Sequence, residues 1–261
     1  MSMAALRHGC ILTANNKQQT TDYKQQTFNG DFMPRYGMVI DLNKCTQCEA
    51  CITVCKLENN VQIVSKENAE MGRAMFWMNM LTKNYEGDFP NIRPETLPVS
   101  CMQCDEPSCI KVCPVRATYK RDDGIVAQIY PQCIGCRYCM ANCPYTAKVF
   151  NWFKDEQPVE IEKSYNPDVS VRPKGIVEKC TFCIHRLQKA KEQAKAEHRK
   201  LREKDYQPAC AEVCSADAIY FGDLDDPNSK VSKVMKDYRR FALQEELGTK
   251  PKVQYLSAMS E

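Results

Sequence analysis

The chain has 261 residues, 43% of them hydrophobic and 26% charged, with a formal net charge of +3. That length and apolar content supply one large core or two small ones, while the near balance of charges excludes a strongly basic nucleic-acid surface. No apolar run approaches the roughly 20 residues of a membrane span, and the most hydrophobic stretch, residues 71–81, is interrupted by Arg73.

In chain order, residues 1–34 are rich in Gln, Asn and Thr and read as an extension ordered only on a partner. Its start shows no signal-peptide core, twin arginine or lipoprotein signal, so export is expected to depend on another chain. The stretch "YGMVIDLNKC" reads as a short strand leading into cysteines, and so does "GIVAQIYPQC", with "DDG" at 122–124 as a hairpin turn. Residues 61–96 and 156–170 read as insertions. The Met and aromatic cluster of the first is expected to pack as a strand or satellite core, with partner docking as the alternative. Residues 185–204, rich in Ala, Glu, Lys, Arg and Gln, read as an exposed helix. His8, His185 and His198 read as structural or exposed. Residues 236–261 hold a short helix stopped by Gly248 and an extended piece. Without a module of their own to pack in, they read as a docking arm.

Sixteen of the 17 cysteines fall into four groups: Cys45, Cys48, Cys51 and Cys55; Cys101, Cys104, Cys109 and Cys113; Cys133, Cys136, Cys139 and Cys143; Cys180, Cys183, Cys210 and Cys214. Each group opens with C-x2-C and closes with C-x3-C, and Cys10 alone stands apart. A disulfide framework suits small secreted chains without a core, and this chain can build a core. Structural zinc suits two separated C-x2-C knuckles, as the fourth group alone would allow, but three closely spaced thiols suit three corners of a cubane better than one ion. The bacterial ferredoxin run C-x2-C-x2-C-x3-C-P, whose fourth cysteine serves a neighbouring cluster, is the remaining reading. The segment "CIGCRYCMANCP" at 133–144 carries it in full. Pro114 also follows its group, while Lys56 and Ser215 stand at the matching places of the first and last groups. An alanine recurs four residues after the closing cysteine, as Ala117, Ala147 and Ala218. Such small βαβ-like units bury little alone, so bound clusters are expected to contribute folding energy. Basic residues beside the cysteines, among them Lys44, Lys56 and Lys179, are expected to offset cluster charge.

The order of the groups, with "GCRYCMANCPY", "EKCTFCIHR", "ACAEVCSADAIYFGDLDDP" and "EELGTKPKVQYL", closely resembles the four-cluster iron–sulfur subunit of membrane-bound molybdopterin oxidoreductases of the dimethyl-sulfoxide-reductase and polysulfide-reductase type. The resemblance runs from Tyr36 to Leu256. The closing segment and "RYCMANCPYTAKVFNW" look more like the quinone reductase complex of sulfate reducers and alternative complex III. The resemblance implies an α+β fold of duplicated bacterial ferredoxin-like modules with insertions. Two double-cluster halves, 35–60 with 171–235 and 97–155, would share the domain 35–235.

It further implies four [4Fe–4S] clusters, with a three-iron [3Fe–4S] form as the product of a labile corner. The implied ligand sets are Cys45, Cys48, Cys51 with Cys214; Cys180, Cys183, Cys210 with Cys55; Cys101, Cys104, Cys109 with Cys143; and Cys133, Cys136, Cys139 with Cys113. No catalytic residue is implied. The expected role is electron transfer between a molybdopterin-type large subunit or multihaem cytochrome c and an integral membrane quinone-binding subunit. The rival is a soluble polyferredoxin acting as a free carrier, which the long insertions disfavour. The expected place is peripheral on the membrane, at the periplasmic face through co-export with a partner, with the cytoplasmic face as the alternative.

Overall fold

The computed structural model describes residues 27–28, 31–32, 34–86, 90, 93–154 and 157–258. Contacts divide the chain into 1–33 and 34–261. In the first unit β1 (Thr27–Phe28) and β2 (Asp31–Phe32) pair as a small hairpin. The rest of the extension, with His8 and Cys10, lies outside the described residues, as do 87–89 and 91–92 of the first insertion and 155–156 beside the second.

The second unit starts with β3 (Tyr36–Asp41), whose six residues are all buried, as expected of a central strand. After it come α1 (Ala50–Glu58), α2 (Lys66–Glu70), β4 (Met78–Glu86) and β5 (Arg93–Ser100). Next are α3 (Ser108–Lys111), β6 (Thr118–Lys120), β7 (Val126–Gln128), α4 (Tyr138–Ala141), β8 (Val149–Phe150) and α5 (Val159–Glu162). The chain continues with β9 (Val177–Glu178), α6 (Ile184–Ala196), α7 (Ala209–Glu212), β10 (Ile219–Asp223), α8 (Lys230–Val234), β11 (Arg240–Phe241) and β12 (Val253–Leu256). Among the described residues no helix is long and apolar enough to cross a membrane.

The strand pairing follows the cysteines. Every strand entering a cysteine group pairs antiparallel with the strand that leaves another: β4 with β5, β6 with β7, β8 with β9 and β10 with β3. The last pair closes the cycle, because β10 follows the fourth group and β3 precedes the first. Each cysteine loop is therefore held at both ends by a ladder shared with a neighbour. The turn at 122–124 joins β6 to β7, with Gly124 at φ 75°, a left-handed conformation that glycine adopts without penalty.

The C-terminal piece corrects the expectation of a docking arm. Strand β12 lies parallel to β3, pairing Val253 with Met38 and Tyr255 with Ile40, in a four-stranded sheet ordered β10-β3-β12-β11. Val253, Tyr255 and Leu256 are buried, and the Tyr255 hydroxyl donates to the Pro98 carbonyl at 3.0 Å. The segment has no module of its own because it covers the open edge of β3. The first insertion is likewise part of the main core: Met75, Trp77 and Met78 are buried in the cluster that holds Met38, Ile40 and Leu97. The expected long exposed helix is shorter than 185–204 and half embedded. Helix α6 stops at Ala196, and Leu187, Ala190 and Ala194 form a buried stripe along it.

One buried ion pair supports the frame. Glu178 on β9 accepts from Arg172 Nε at 3.0 Å, from Trp77 Nε1 at 3.2 Å and from Asn151 Nδ2 at 3.0 Å. The Arg172 and Glu178 side chains are 2% and 1% exposed. Arg172→Ala leaves that carboxylate without its cation, and loss of one partner from a buried pair costs about 3 kcal/mol or more. The expected result is a clear drop in the urea midpoint of the anaerobic protein. An unchanged midpoint would show that the pair adds nothing net.

Candidate iron–sulfur sites

All four cysteine groups are built on one kind of loop. The residue directly before the second cysteine is left-handed in each: Gln47 at φ 58°, Gln103 at 46°, Gly135 at 70° and Phe182 at 56°. That conformation reverses the chain between the first two thiols, and for side-chain-bearing residues it persists only where the surroundings fix it. At Gly135 a glycine is required, since a Cβ would stand 2.1 Å from the Gly175 carbonyl oxygen. In the two compact runs Glu49 and Arg137 are also left-handed and start α1 and α4.

The closing cysteines sit on or just after short helices. Prolines 114 and 144 follow Cys113 and Cys143, and α3 and α4 are only four residues long. Lys56 in the corresponding place lets α1 run on for nine residues. The recurring alanine is buried in all three places, where only a small side chain is held, and its backbone N–H faces the closing sulfur. The Ala117 N–H donates to Cys113 Sγ at 3.2 Å and the Ala218 N–H to Cys214 Sγ at 3.3 Å. The Ala147 N–H likewise favours the Cys143 thiolate, although burial outweighs it and raises that thiol. N–H···S bonds stabilise negative charge on sulfur and are a principal control on cluster potential.

The thiols meet across groups. Burial and the charges of Cys45, Cys214 and Cys48 push the Cys51 thiol up to about 11. Cys55 is driven well up by burial and by Cys180, Cys210 and Cys183. Burial and the charges of Cys101, Cys109 and Cys143 push Cys104 up to about 12. Cys139 is raised by burial and by Cys113, Cys133 and Cys136. Cysteines of one group thus act on cysteines of another, and adjacent gatherings also reach each other, since Cys51 acts on Cys55 and Cys101 on Cys180. Buried thiolates that repel one another need a cationic occupant, and iron supplies it, so the donor set fits an iron–sulfur cluster. Among the described residues no three of His, Cys, Asp and Glu converge closely enough for a single ion. Ligands at separate corners of a cubane stand farther apart than ligands on one metal atom.

Burial grades the four gatherings. Cys55, Cys180, Cys183 and Cys210 are all buried, whereas Cys48 and Cys136 are exposed. Several supporting residues escaped the sequence reading. Gln103 is fully buried, donates to the Cys180 carbonyl at 2.8 Å and accepts from the Val126 N–H at 2.8 Å, tying its own cysteine loop to that of Cys180 and to β7. Asn59 Nδ2 lies 3.7 Å from Cys55 Sγ and 3.9 Å from Cys183 Sγ. Lys148 is buried against β6 and β7, its ammonium bonded to Thr118 and Gln128. A short-range motif gives no sign of such residues because their partners are distant in sequence. His185 bonds Glu58 at 2.6 Å and serves structure, as expected; of the basic residues beside the cysteines, Lys179 is fully buried and bonds the Val126 and Cys180 carbonyls.

Residues 92–158 match the model of the 4Fe–4S dicluster domain family. The chain is 48% identical over 231 residues to the menaquinone reductase iron–sulfur cluster-binding subunit of Nitratidesulfovibrio vulgaris, covering 87% of this chain and 90% of that one. It is 35% identical to the iron–sulfur subunit of the arsenate respiratory reductase of a Shewanella species, over 85% of this chain and 96% of the relative. It is 34% identical to the B component of the polysulfide reductase of Wolinella succinogenes, over 84% of this chain and 92% of the relative.

Proposed function

We propose how electrons cross this chain, which belongs to the family of iron–sulfur subunits of membrane-associated molybdopterin oxidoreductases. Like its relatives it is an electron-transfer subunit that binds [4Fe–4S] clusters, and nothing in the comparisons favours a free polyferredoxin. The ligand sets we assign are Cys45, Cys48, Cys51 and Cys214; Cys55, Cys180, Cys183 and Cys210; Cys101, Cys104, Cys109 and Cys143; and Cys113, Cys133, Cys136 and Cys139. The observation that carries this assignment is the mutual crowding of those thiols across groups.

The sets fall in one row. Cys51 and Cys55 share α1, joining the first set to the second. The Cys180 thiol feels Cys101, which joins the second to the third. Cys109 lies in α3 and Cys113 just beyond it, joining the third to the fourth. Two double-cluster halves, each an exchanged pair, account for this pattern as a duplicated ferredoxin-like unit. A bound cluster supplies storage of one electron at a time. The protein fixes the thiolates, aims N–H groups at sulfur and buries all four cysteines of the second set, while Cys48 and Cys136 open the two ends to partners.

On this reading one end meets a molybdopterin-type subunit or multihaem cytochrome and the other an integral membrane quinone-binding subunit. The similarity to a menaquinone reductase subunit supports the quinone side. We place the chain peripherally on the membrane, at the periplasmic face by co-export, with protease accessibility in spheroplasts deciding against the cytoplasmic face. Anaerobic purification of the tagged native complex should give about sixteen irons and as many sulfides in this subunit, together with one redox partner and one membrane partner. Half that iron, or zinc in its place, would overturn the four-cluster assignment.

A further inference from the structure

Lys148 directly follows Ala147 and precedes β8, and its side chain is buried at 4% exposure. Its ammonium donates to Thr118 Oγ1 at 3.1 Å and to Gln128 Oε1 at 3.3 Å. The Thr118 hydroxyl donates to the same Gln128 oxygen at 2.7 Å, so β6 and β7 hold the charge in place. Both partners are neutral. A buried ammonium served only by neutral groups is unfavourable unless anions lie near it. Here the cysteines of two sets flank it: its partner Thr118 follows Ala117, whose N–H donates to Cys113 Sγ at 3.2 Å, and Lys148 itself follows the turn in which the Thr146 N–H bonds the Cys143 carbonyl. In line with that placement, Lys148 favours the charged forms of Cys109 and Cys143 in the third set, and of Cys113 and Cys139 in the fourth. After the other recurring alanines stand Thr118 and Ile219, so the first half has an apolar residue at this place. Lys179, also buried, donates to the Val126 and Cys180 carbonyls, at the junction of the second and third sets.

We propose that Lys148 is a fixed positive charge shared by the third and fourth sets, raising the reduction potentials of the clusters they hold. A cluster bound by four thiolates is already a net anion. Reduction adds one electron from the donor subunit, with no bond or proton change, and a neighbouring buried cation stabilises the reduced form more than the oxidised one. The wire is thereby graded by a residue that is not a ligand. The inference rests on the ligand sets proposed above.

The test is a redox titration of the intact anaerobic complex followed by EPR, with Cys104→Ser and Cys136→Ser marking the signals of the third and fourth sets. In Lys148→Met the oxidised-to-reduced ratio of both signals at fixed potential should rise about tenfold, a fall of about 59 mV for a one-electron couple. The signal of the Cys45 set should not move, and Lys148→Arg should restore the native values. Gln128→Glu is isosteric, keeps both bonds that its oxygen accepts, and sets a negative charge beside the ammonium. It should shift the same two signals downward and decides the matter alone if Lys148→Met loses iron. Unchanged potentials at full iron content, or equal shifts at all sites, would overturn the charge. If the two serine variants fail to mark separate signals, the ligand sets themselves fall, and this inference with them.

Discussion

Truncation after Gly248 is expected to leave an insoluble chain with little iron. The lost residues include all of β12, whose Val253 and Tyr255 are fully buried and whose Leu256 is 2% exposed. Each such side chain contributes roughly 1.5–3 kcal/mol by burial, so the strand supplies on the order of 6 kcal/mol before its parallel ladder to β3 is considered. A domain's whole stability is only about 5–15 kcal/mol. The same segment also reaches a cysteine loop. The Asp105 N–H donates to the Lys250 carbonyl at 2.9 Å, the Glu106 N–H donates to the Thr249 carbonyl at 3.0 Å, and the Thr249 side chain favours the Cys104 thiolate. Iron should therefore be lost first from the set containing Cys101 and Cys104. Tyr255→Ala is the graded version, with about 3–5 kcal/mol expected from the lost ring and a lowered urea midpoint as the readout. A soluble truncated chain with full iron, deficient only in assembly, would restore the docking-arm reading.

The strand β12 marks where sequence reading fails. Its pattern of Val253, Tyr255 and Leu256 was recognisable as extended, but its partner is β3, more than 200 residues earlier. A strand pattern does not name its partner, and a tail that completes a distant sheet looks locally like one that docks on another protein. Features with local causes were legible. Strand β3, the turn at 122–124 and the four cysteine loops follow from spacing and turn chemistry, and each stands where it was expected. The alanine repeat was visible as a pattern, while the burial of its methyl and the backbone N–H aimed there at sulfur needed the turn geometry. Helix α6 illustrates the intermediate case. Its three buried positions are one leucine and two alanines, too weak a stripe to separate an embedded face from a solvated one. Lys148 and Gln103 had no local mark because a buried polar residue is defined by what surrounds it.

Cys143→Ser separates exchanged ligation from self-contained groups, and it should remove or convert one cluster of the four. Cys139 lies in α4 and is buried, whereas Cys143 follows the end of that helix, where its N–H bonds the Met140 carbonyl at 3.2 Å. The helical turn between them carries the two thiols apart along the axis. Apart from burial, the main charge acting on Cys143 is Cys101, a member of another group. Serine offers a hard hydroxyl in place of a soft thiolate and is a poor iron ligand, so a three-iron form or outright loss is expected at the site of Cys101, Cys104 and Cys109. The site of Cys133, Cys136 and Cys139 keeps Cys113 and should retain its signal. EPR of the anaerobic variant, set beside that of Cys101→Ser, decides the question. Matching spectra with one shared missing signal are the expected result, because both substitutions strike the same four thiolates. Two different missing signals would mean that each compact run closes on its own cluster, and the order of the row would then have to be redrawn.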